Sequence, residues 1–376
     1  MILYISKRFE TNVAARVHRG FLEEKYGKEN IFVIDMRPNK EERRDKYICF
    51  GKYKNKIKRI GRWIQGNTMY QSKKIINEIC EIVRKYNIKF IFIEDSTFGN
   101  VVKEIKCRYP ETEIVTFYHD IAVELYAEWA KKGGIVSKIE NSIAIKQEKI
   151  NQRYSDIDMV FNERDAKLYE KYYGNKPNAI IPIAMPTPIV AKKNIEKLSK
   201  EKKKVLFVGS KYYPNIIGIR WFYKEVLPQL GYDFELKIVG RGTEFLAEEF
   251  NDEQVKVVGT VDSVEPFYQD ADIVIAPLFD GGGMKCKTVE AVGYGKYLVG
   301  TTESLQGFND RMESDLLNKK IFCVDTAEEW IKVMNILLSK KYIEKFNEDV
   351  FEFFKENYSY EATKKIFMQI LNSREK

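Results

Sequence analysis

Along the chain, compact apolar runs alternate with longer stretches in which apolar positions recur at i, i+3 and i+4. The opening "MILYISKRFE" and the runs "NIFVIDM" (30–36), "KFIFIED" (89–95) and "EIVTFYHD" (113–120) predict short buried strands. Between them, "KKIINEICEIVRKYN" (73–87) and "GNVVKEIKCRYP" (99–110) carry the helical period. A second series follows: "KKVLFVGS" (203–210), "FELKIVGRG" (234–242), "QVKVVGTV" (254–261), "ADIVIAPL" (271–278) and "KYLVGTTE" (296–303). Continuous apolar strands alternating with helices predict parallel sheets covered on both faces. Two such series predict two Rossmann-like, doubly wound α/β domains.

The boundary between the series is legible. "IIPIAMPTPIV" (180–190) holds Pro182, Pro186 and Pro188 and has no helical period, and the polar, basic "AKKNIEKLSKEKKK" (191–204) follows it. A proline-stiffened strip of this kind suits a hinge. The expected domains are 1–185 and 186–358. A weak internal echo joins them: "YSDIDMVFNERDA" (154–166) and "YQDADIVIAPLFD" (268–280) both run from a helix end through Asp to an apolar strand and a polar turn. Asp156 with Asp158, and Asp270 with Asp272, have the D-x-D spelling of metal-dependent nucleotide-sugar enzymes. Each pair stands before a strand rather than at its carboxyl edge, where open α/β sheets hold ligands, so both read as polar turns.

Composition narrows the class. The chain has 376 residues, 44% hydrophobic and 31% charged, and no run approaches the ~18 apolar residues of a membrane span. No secretory signal is evident at the N-terminus. Five scattered cysteines without C-x-x-C spacing suggest reduced thiols in a cytoplasmic protein and argue against zinc. The net charge of +8 is uneven: residues 1–180 hold 35 Lys and Arg against 25 Asp and Glu, and the remainder 28 against 30. The densest basic stretch, "GKYKNKIKRIGRW" (51–63), reads either as a solvated loop or as a surface, residues 52–63, that meets anionic lipid or an anionic acceptor. No nucleic-acid partner is expected, since no recognition helix, zinc finger or RNP-type strand is present.

The candidate chemistry centres on "GGGMKCKTVEAVGYG" (281–295). It follows the strand ending near Leu278 and opens a helix, so Gly281, Gly282 and Gly283 form a strand-to-helix loop at the carboxyl edge of the sheet. Free amides at a helix N-terminus attract phosphate, and Lys285 and Lys287 add full charges. Glu290 would be repelled by phosphate alone, but it can accept two hydrogen bonds from a ribose diol. Together they fit a nucleoside diphosphate. "VLFVGSKYYPN" (205–215) repeats the pattern with Gly209, Ser210 and Lys211 before a helix beginning near Pro214, and "IVGRG" (238–242) adds Arg241. Of the two histidines, His119 ends a strand at the same kind of edge; His18 lies in a polar helix and reads as structural or surface.

"LFVGSKYYPNIIGIRWFYKEVLP", "LKIVGRG", "VKVVGTVDSVEPFYQDADIVIAPL", "GGGMKCKTVEAVGYGKYLVGTTESLQGF" and "FKENYSYEATKKIFMQIL" resemble, in order and spacing, the donor half of family 4 glycosyltransferases. The N-terminal half resembles that family more loosely, through "TFYHD" and "SDIDMVFNERDAKLYEKYYG". The resemblance implies a GT-B fold, with two domains facing a cleft: an N-terminal acceptor-binding domain and a C-terminal donor-binding one. The terminal helix, 359–372, would cross back onto the first. It implies a retaining, hexosyltransferase-type enzyme that uses a nucleotide sugar, with UDP as the family's usual carrier.

Position by position, Glu290 resembles the glutamate that holds the donor ribose, and Gly282, Gly283 and Met284 the loop touching sugar and diphosphate. Lys287 and Lys211 resemble the diphosphate cations, and His119 the histidine that faces the transferred sugar. Gly209, Ser210, Arg241, Gly281, Lys285 and Thr288 complete the expected donor set. Gly282 stands where the family carries its first motif glutamate, and Asp280 is the candidate to take over its contact with sugar hydroxyls. The expected catalytic set is therefore His119, Lys287 and Asp280.

Lysines and helix amides can stabilise a leaving diphosphate, so neither metal nor cofactor is expected. The acceptor would be a glycan, a lipid-linked species or a protein, in surface polysaccharide or glycoconjugate synthesis. The enzyme would be cytoplasmic, with peripheral attachment to the inner face of the membrane through the basic stretch. The alternative is an inactive transferase-like subunit supporting a partner. A dinucleotide-dependent oxidoreductase is the further rival, and the lack of a G-x-G-x-x-G after the first strand argues against it.

Overall fold

The computed structural model of the protein describes residues 1–7, 12–37, 41–51, 56–68, 71–126, 134–189, 202–281, 284–308, 311–312 and 316–373. They fall into two compact units, Met1–Pro182 with Lys364–Lys376, and Ile183–Thr363.

The first unit is built on an eight-stranded sheet. Its strands are β1 (Ile2–Lys7), β2 (Ile31–Arg37), β3 (Glu42–Arg44), β4 (Tyr47–Gly51), β5 (Phe90–Glu94), β6 (Glu113–Tyr118), β7 (Ile157–Val160) and β8 (Ala179–Ile180), in the order β3-β4-β2-β1-β5-β6-β7-β8. All neighbours are parallel except β3 and β4, an antiparallel edge pair. The hydrophobic pattern does not announce β3, because its residues are Glu42, Arg43 and Arg44. An edge of charged residues discourages further strand pairing. β1 pairs with β2 from Ile2↔Ile31 and with β5 from Ile2↔Phe90, so the strand order reverses between β1 and β5.

Leu3, Ile5, Ile34, Ile91 and Ile93 form a core with Ile79, Val101 and Ile105 of the helices Lys73–Lys85 and Gly99–Arg108. Each such side chain contributes about 1.5–3 kcal/mol on burial. Ser72 caps the first of these helices, its Oγ accepting from Ile75 N at 3.3 Å. The terminal helix Tyr360–Asn372 brings Phe367 against His18, Phe21 and Phe92 at 5.2 to 5.5 Å, and Lys364 onto Glu24.

The basic stretch departs from a loop: Lys56–Ile64 is a helix. Lys52 and Lys54 lie outside the described residues, and Arg62 is buried rather than offered to a surface.

The second unit is a wholly parallel six-stranded sheet of β9 (Lys203–Val208), β10 (Phe234–Val239), β11 (Val255–Gly259), β12 (Ile273–Ala276), β13 (Tyr297–Gly300) and β14 (Ile321–Cys323). Their order is β11-β10-β9-β12-β13-β14, that of a doubly wound nucleotide-binding sheet. Phe207, Ile238, Ile275 and Val299 pack with Trp330 and Met334 of the helix Ala327–Ser339, which a capping box between Thr326 and Glu329 starts.

Two glycines let this sheet edge close up. A Cβ on Gly218 would stand 1.8 Å from Pro277 O, so the helix Tyr213–Trp221 lies directly on the chain leaving β12. Gly240, at φ +150°, would press a Cβ to 2.1 Å from Gly209 O.

Both D-x-D pairs serve strand entries. Asp156 accepts from Lys106 and from Ile114 N, and Asp158 from Tyr169 and Tyr118. Asp270 takes Lys204 and Lys237, and Asp272 takes Lys204 N. Much of the basic strip after the prolines, 190–201, lies outside the described residues.

Candidate functional site

In the second unit the strand order reverses between β9 and β12. These two strands pair only at Val205↔Ile273 and Leu206↔Val274, and no ladder joins their carboxyl ends. Open α/β sheets bind ligands outside such a reversal. Gly209, Ser210 and Lys211 leave β9 there, Pro277 to Gly281 leave β12, and the helix Cys286–Gly293 begins just beyond.

Lys287, in the first turn of that helix, donates to Asn215 Oδ1, with its amine 5.1 Å from the Phe207 ring centre. Asn215 donates in turn to Ser210 O at 3.0 Å, so one amide ties the β9 loop to the helix. Burial, and then the charge of Lys285, push the Lys287 amine down to about 7. Glu290 accepts from the Tyr268 hydroxyl at 2.8 Å, and burial raises its carboxyl above the ordinary range. A cation held on a neutral amide, with a carboxylate one turn behind, can receive a diphosphate and a vicinal diol together.

The remaining expected donor residues divide. Ser210, Lys211 and Arg241 are exposed at this edge, joined by Lys211 N to Arg241 O at 2.8 Å. The Lys211 amine lies 4.6 Å from the Phe245 ring centre. Gly209 N bonds Val239 O, and Gly281, at φ +120°, donates its N–H to Asp280 Oδ1 at 2.7 Å. Lys285, whose charge reaches Lys287, pairs with Glu303 at 2.8 Å and bonds Gly281 O at 3.1 Å, bracing the loop. Thr288 turns its side chain away from the loop. Its side chain is fully buried and its hydroxyl is committed to Ser304 O at 2.8 Å, because its place on the helix faces the core. Met284 is buried, and Gly282 and Gly283 lie outside the described residues.

In the first unit the corresponding edge also gathers polar groups. Lys7, ending β1, pairs with Asp95 at 2.8 Å and bonds Thr97. Glu94, ending β5, is fully buried; Oε2 meets His119 Nε2 at 2.8 Å and Oε1 meets His18 Nδ1 at 2.9 Å. Burial opposes ionisation of Glu94, yet the charges and hydrogen bonds of both histidines outweigh it and hold the carboxyl at about 2. Burial likewise opposes the charged form of His119, and the bond and charge of Glu94 outweigh it, so its imidazole titrates above the ordinary histidine value.

His18 is no surface residue: it is buried, with Phe117 at 4.4 Å and Phe367 stacked at 5.5 Å. Asn215, Tyr268 and Glu94 thus join the sites although the sequence did not single them out, and His18 joins them in its structural reading. For Glu94 a signal existed: it is an acid closing an apolar strand at the edge that had pointed to His119. Asp280 and Lys287 stand in the second unit and His119 in the first.

Residues 202–340 match the family described as "Glycosyl transferases group 1". Solved structures align along nearly the whole chain. Sucrose-phosphate synthase from Thermosynechococcus elongatus has a TM-score of 0.71 at 14% identity, covering 99% of both chains. The lipopolysaccharide outer core galactosyltransferase WaaB has 0.69 at 12%, covering 100% of both. Anabaena HepE, in complex with UDP, has 0.68 at 12%, covering 99% of both.

The fold is GT-B.

A curated relative, an uncharacterized 44.6 kDa protein in the cps region of Klebsiella pneumoniae, is 24% identical over 199 residues. That match spans 49% of this chain and 49% of the relative, about half of each. The stretch matching the group 1 description, 202–340, holds both reversing strands β9 and β12 of the second GT-B sheet and the helix carrying Lys287 and Glu290. Among the described residues, no group of three His, Cys, Asp or Glu is arranged to hold a metal ion, and no helix is long and apolar enough to cross a membrane.

Proposed function

We propose that the protein is a retaining glycosyltransferase that moves a hexose from a nucleoside diphosphate sugar, with UDP as carrier, to a glycan or lipid-linked acceptor in surface polysaccharide synthesis. The observation that carries this reading is the pair of Lys287 on Asn215 and Glu290 on Tyr268 at the β9–β12 reversal. The bond from the anomeric carbon to the diphosphate breaks as the acceptor oxygen bonds that carbon. The departing diphosphate gains negative charge, which Lys287, Lys211 and the amides opening the helix Cys286–Gly293 are placed to receive. One preorganised donor at such a position is worth about 2.7–4 kcal/mol.

In this reading Glu290 takes the ribose hydroxyls, Asp280 those of the sugar, and His119 meets the transferred sugar. The donor phosphate accepts the acceptor's proton, and no metal is required. The second unit holds the donor and the first the acceptor. HepE with UDP supports the carrier. The relative from the cps region and WaaB support a glycan acceptor.

The deciding experiment is calorimetric titration of UDP and GDP, with a transfer assay using UDP-glucose and UDP-galactose. UDP binding with sugar release or transfer is the expected result. UDP binding without turnover of any nucleotide sugar would favour the inactive supporting subunit.

Attachment to an anionic membrane is part of the same reading. In the helix Lys56–Ile64, Ile60 is 52% and Ile64 82% exposed, an apolar complement to the lysines of that stretch. Replacing Lys56, Lys58 and Arg59 by Gln should release the protein from anionic vesicles in sedimentation, as should high salt. Equal sedimentation of both proteins would point to a soluble acceptor.

A further inference from the structure

We propose that Glu94 is the positioning residue of His119: it holds the imidazole by Nε2–H, so that Nδ1 is the nitrogen offered to a hydroxyl of the transferred sugar. This rests on the reading of His119 as the histidine that meets that sugar.

The argument starts from the proton count. An ionised carboxylate only accepts hydrogen bonds, so both nitrogens on Glu94 must be donors. His18 gives Nδ1–H to Oε1, and His119 gives Nε2–H to Oε2. The Tyr4 hydroxyl stands 3.1 Å from the same Oε1 and 2.5 Å from Ala15 O, which fixes that oxygen between β1 and the helix Val13–Tyr26. Oε2 is then the oxygen that faces His119.

A neutral imidazole with its proton on Nε2 carries its acceptor lone pair on Nδ1, on the opposite side of the ring. Phe117 and Phe161 wall the ring edge-on, at 5.4 and 5.3 Å. Turning the ring over would replace a charge-assisted N–H bond by a C–H against a buried carboxylate. The His119 side chain is 21% exposed and that of Glu94 is 0%, so Glu94 reaches a ligand only through the histidine.

His18 explains how so buried a carboxylate is tolerated: it supplies the second charge-assisted bond from within an aromatic cage. The contacts are hydrogen bonds on two different oxygens, and so do not describe a shared metal.

The test uses the chain's own scarcity of histidine, two in all. In protein labelled with ¹⁵N-histidine, His119 is assigned by its loss in His119→Gln. Above its titration it should show the Nε2–H tautomer, with a midpoint above the ordinary ~6.5. Glu94, Asp95 and Asp120 are the charges that raise this midpoint. Glu94→Gln should lower the midpoint and mix the tautomers. In the transfer assay the same variant should lose turnover by roughly 10²-fold and move the acid limb of its pH profile downward, with UDP affinity unchanged. Adding Glu94→Gln to His119→Ala should cost nothing more.

A wild-type His119 in the Nδ1–H tautomer overturns the proposal. So does an unshifted limb in Glu94→Gln when His119→Ala is impaired. Full turnover in His119→Ala would instead remove the sugar-facing role of His119, and the proposal with it, even where the spectrum shows the clamp. Should Glu94→Gln fail to fold, the wild-type spectrum decides alone.

Discussion

The two sheet edges solve the same problem in opposite ways. Both lie where a parallel sheet reverses its strand order, and both hold a charged group, Glu94 buried and Lys287 half-buried. In the first unit the charge is Glu94, and two histidines meet it inside the protein, which draws its carboxyl down to about 2. In the second it is Lys287, held by the neutral amide of Asn215, with burial drawing its amine down to about 7. The charge of Glu290 opposes that fall without outweighing it. At the first edge the carboxylate is answered within the protein, and under the proposal above it holds the His119 ring still. The second is short of an anion, and an arriving diphosphate would supply one.

The sharpest way to break this contrast is Lys287→Ala. If Lys287 serves the leaving diphosphate, turnover should fall about 10²–10³-fold with a much smaller change in KM, because the charge it meets grows in the transition state. Steady-state kinetics with a nucleotide sugar measures this, and a rise in KM alone would contradict the role.

Glu290→Ala should come next, weakening UDP binding roughly tenfold, about 1.4 kcal/mol. Tyr268→Phe should cost less, about threefold, since it removes one hydrogen bond to the carboxylate. Calorimetry on folded variants reads both, and unchanged affinity in Glu290→Ala would remove the ribose contact.

The first edge predicts a pH signature in stability. A carboxylate held below its ordinary range adds stability above that range and loses it as pH falls towards about 2. The raised imidazole of His119 works in the other direction: its contribution is complete below the ordinary histidine value and is lost as pH rises through its own higher one. Urea midpoints between pH 6 and 3, below the histidine window, should therefore fall less steeply for Glu94→Gln than for wild type.

The smallest effect belongs to the second edge. An amine titrating near 7 in the free protein should be driven to its charged form by a bound diphosphate. UDP binding at pH 8 should then take up as much as about one proton. Comparing binding heats in two buffers of different ionisation enthalpy detects it, and Lys287→Ala should abolish the uptake.

How far each edge could be read in advance follows from the range of its interactions. The loop before the helix Cys286–Gly293 is a local pattern: glycine, lysine and a helix start lie within a few residues, so Lys287 and Glu290 stood out at once. The apolar strands were equally plain, because parallel strands buried on both faces leave no polar alternation to confuse with anything else. The inward turn of the Thr288 hydroxyl to Ser304 O was not legible, because chain neighbours on a helix point in different directions. The pairing of Lys285 was not legible either, because its partner, Glu303, is carried by the loop after β13.

The sequence by itself determined two doubly wound sheets, a glycine-lysine loop opening a helix and a histidine at a strand end, since periodicity and helix-start signals need only neighbours in the chain. Which charges are answered within the protein was a tertiary matter. Glu94 is 76 residues from His18 and 25 from His119. Lys287 is 72 residues from Asn215. Burial multiplies the worth of such contacts, and burial exists only once the sheets and helices have closed over them.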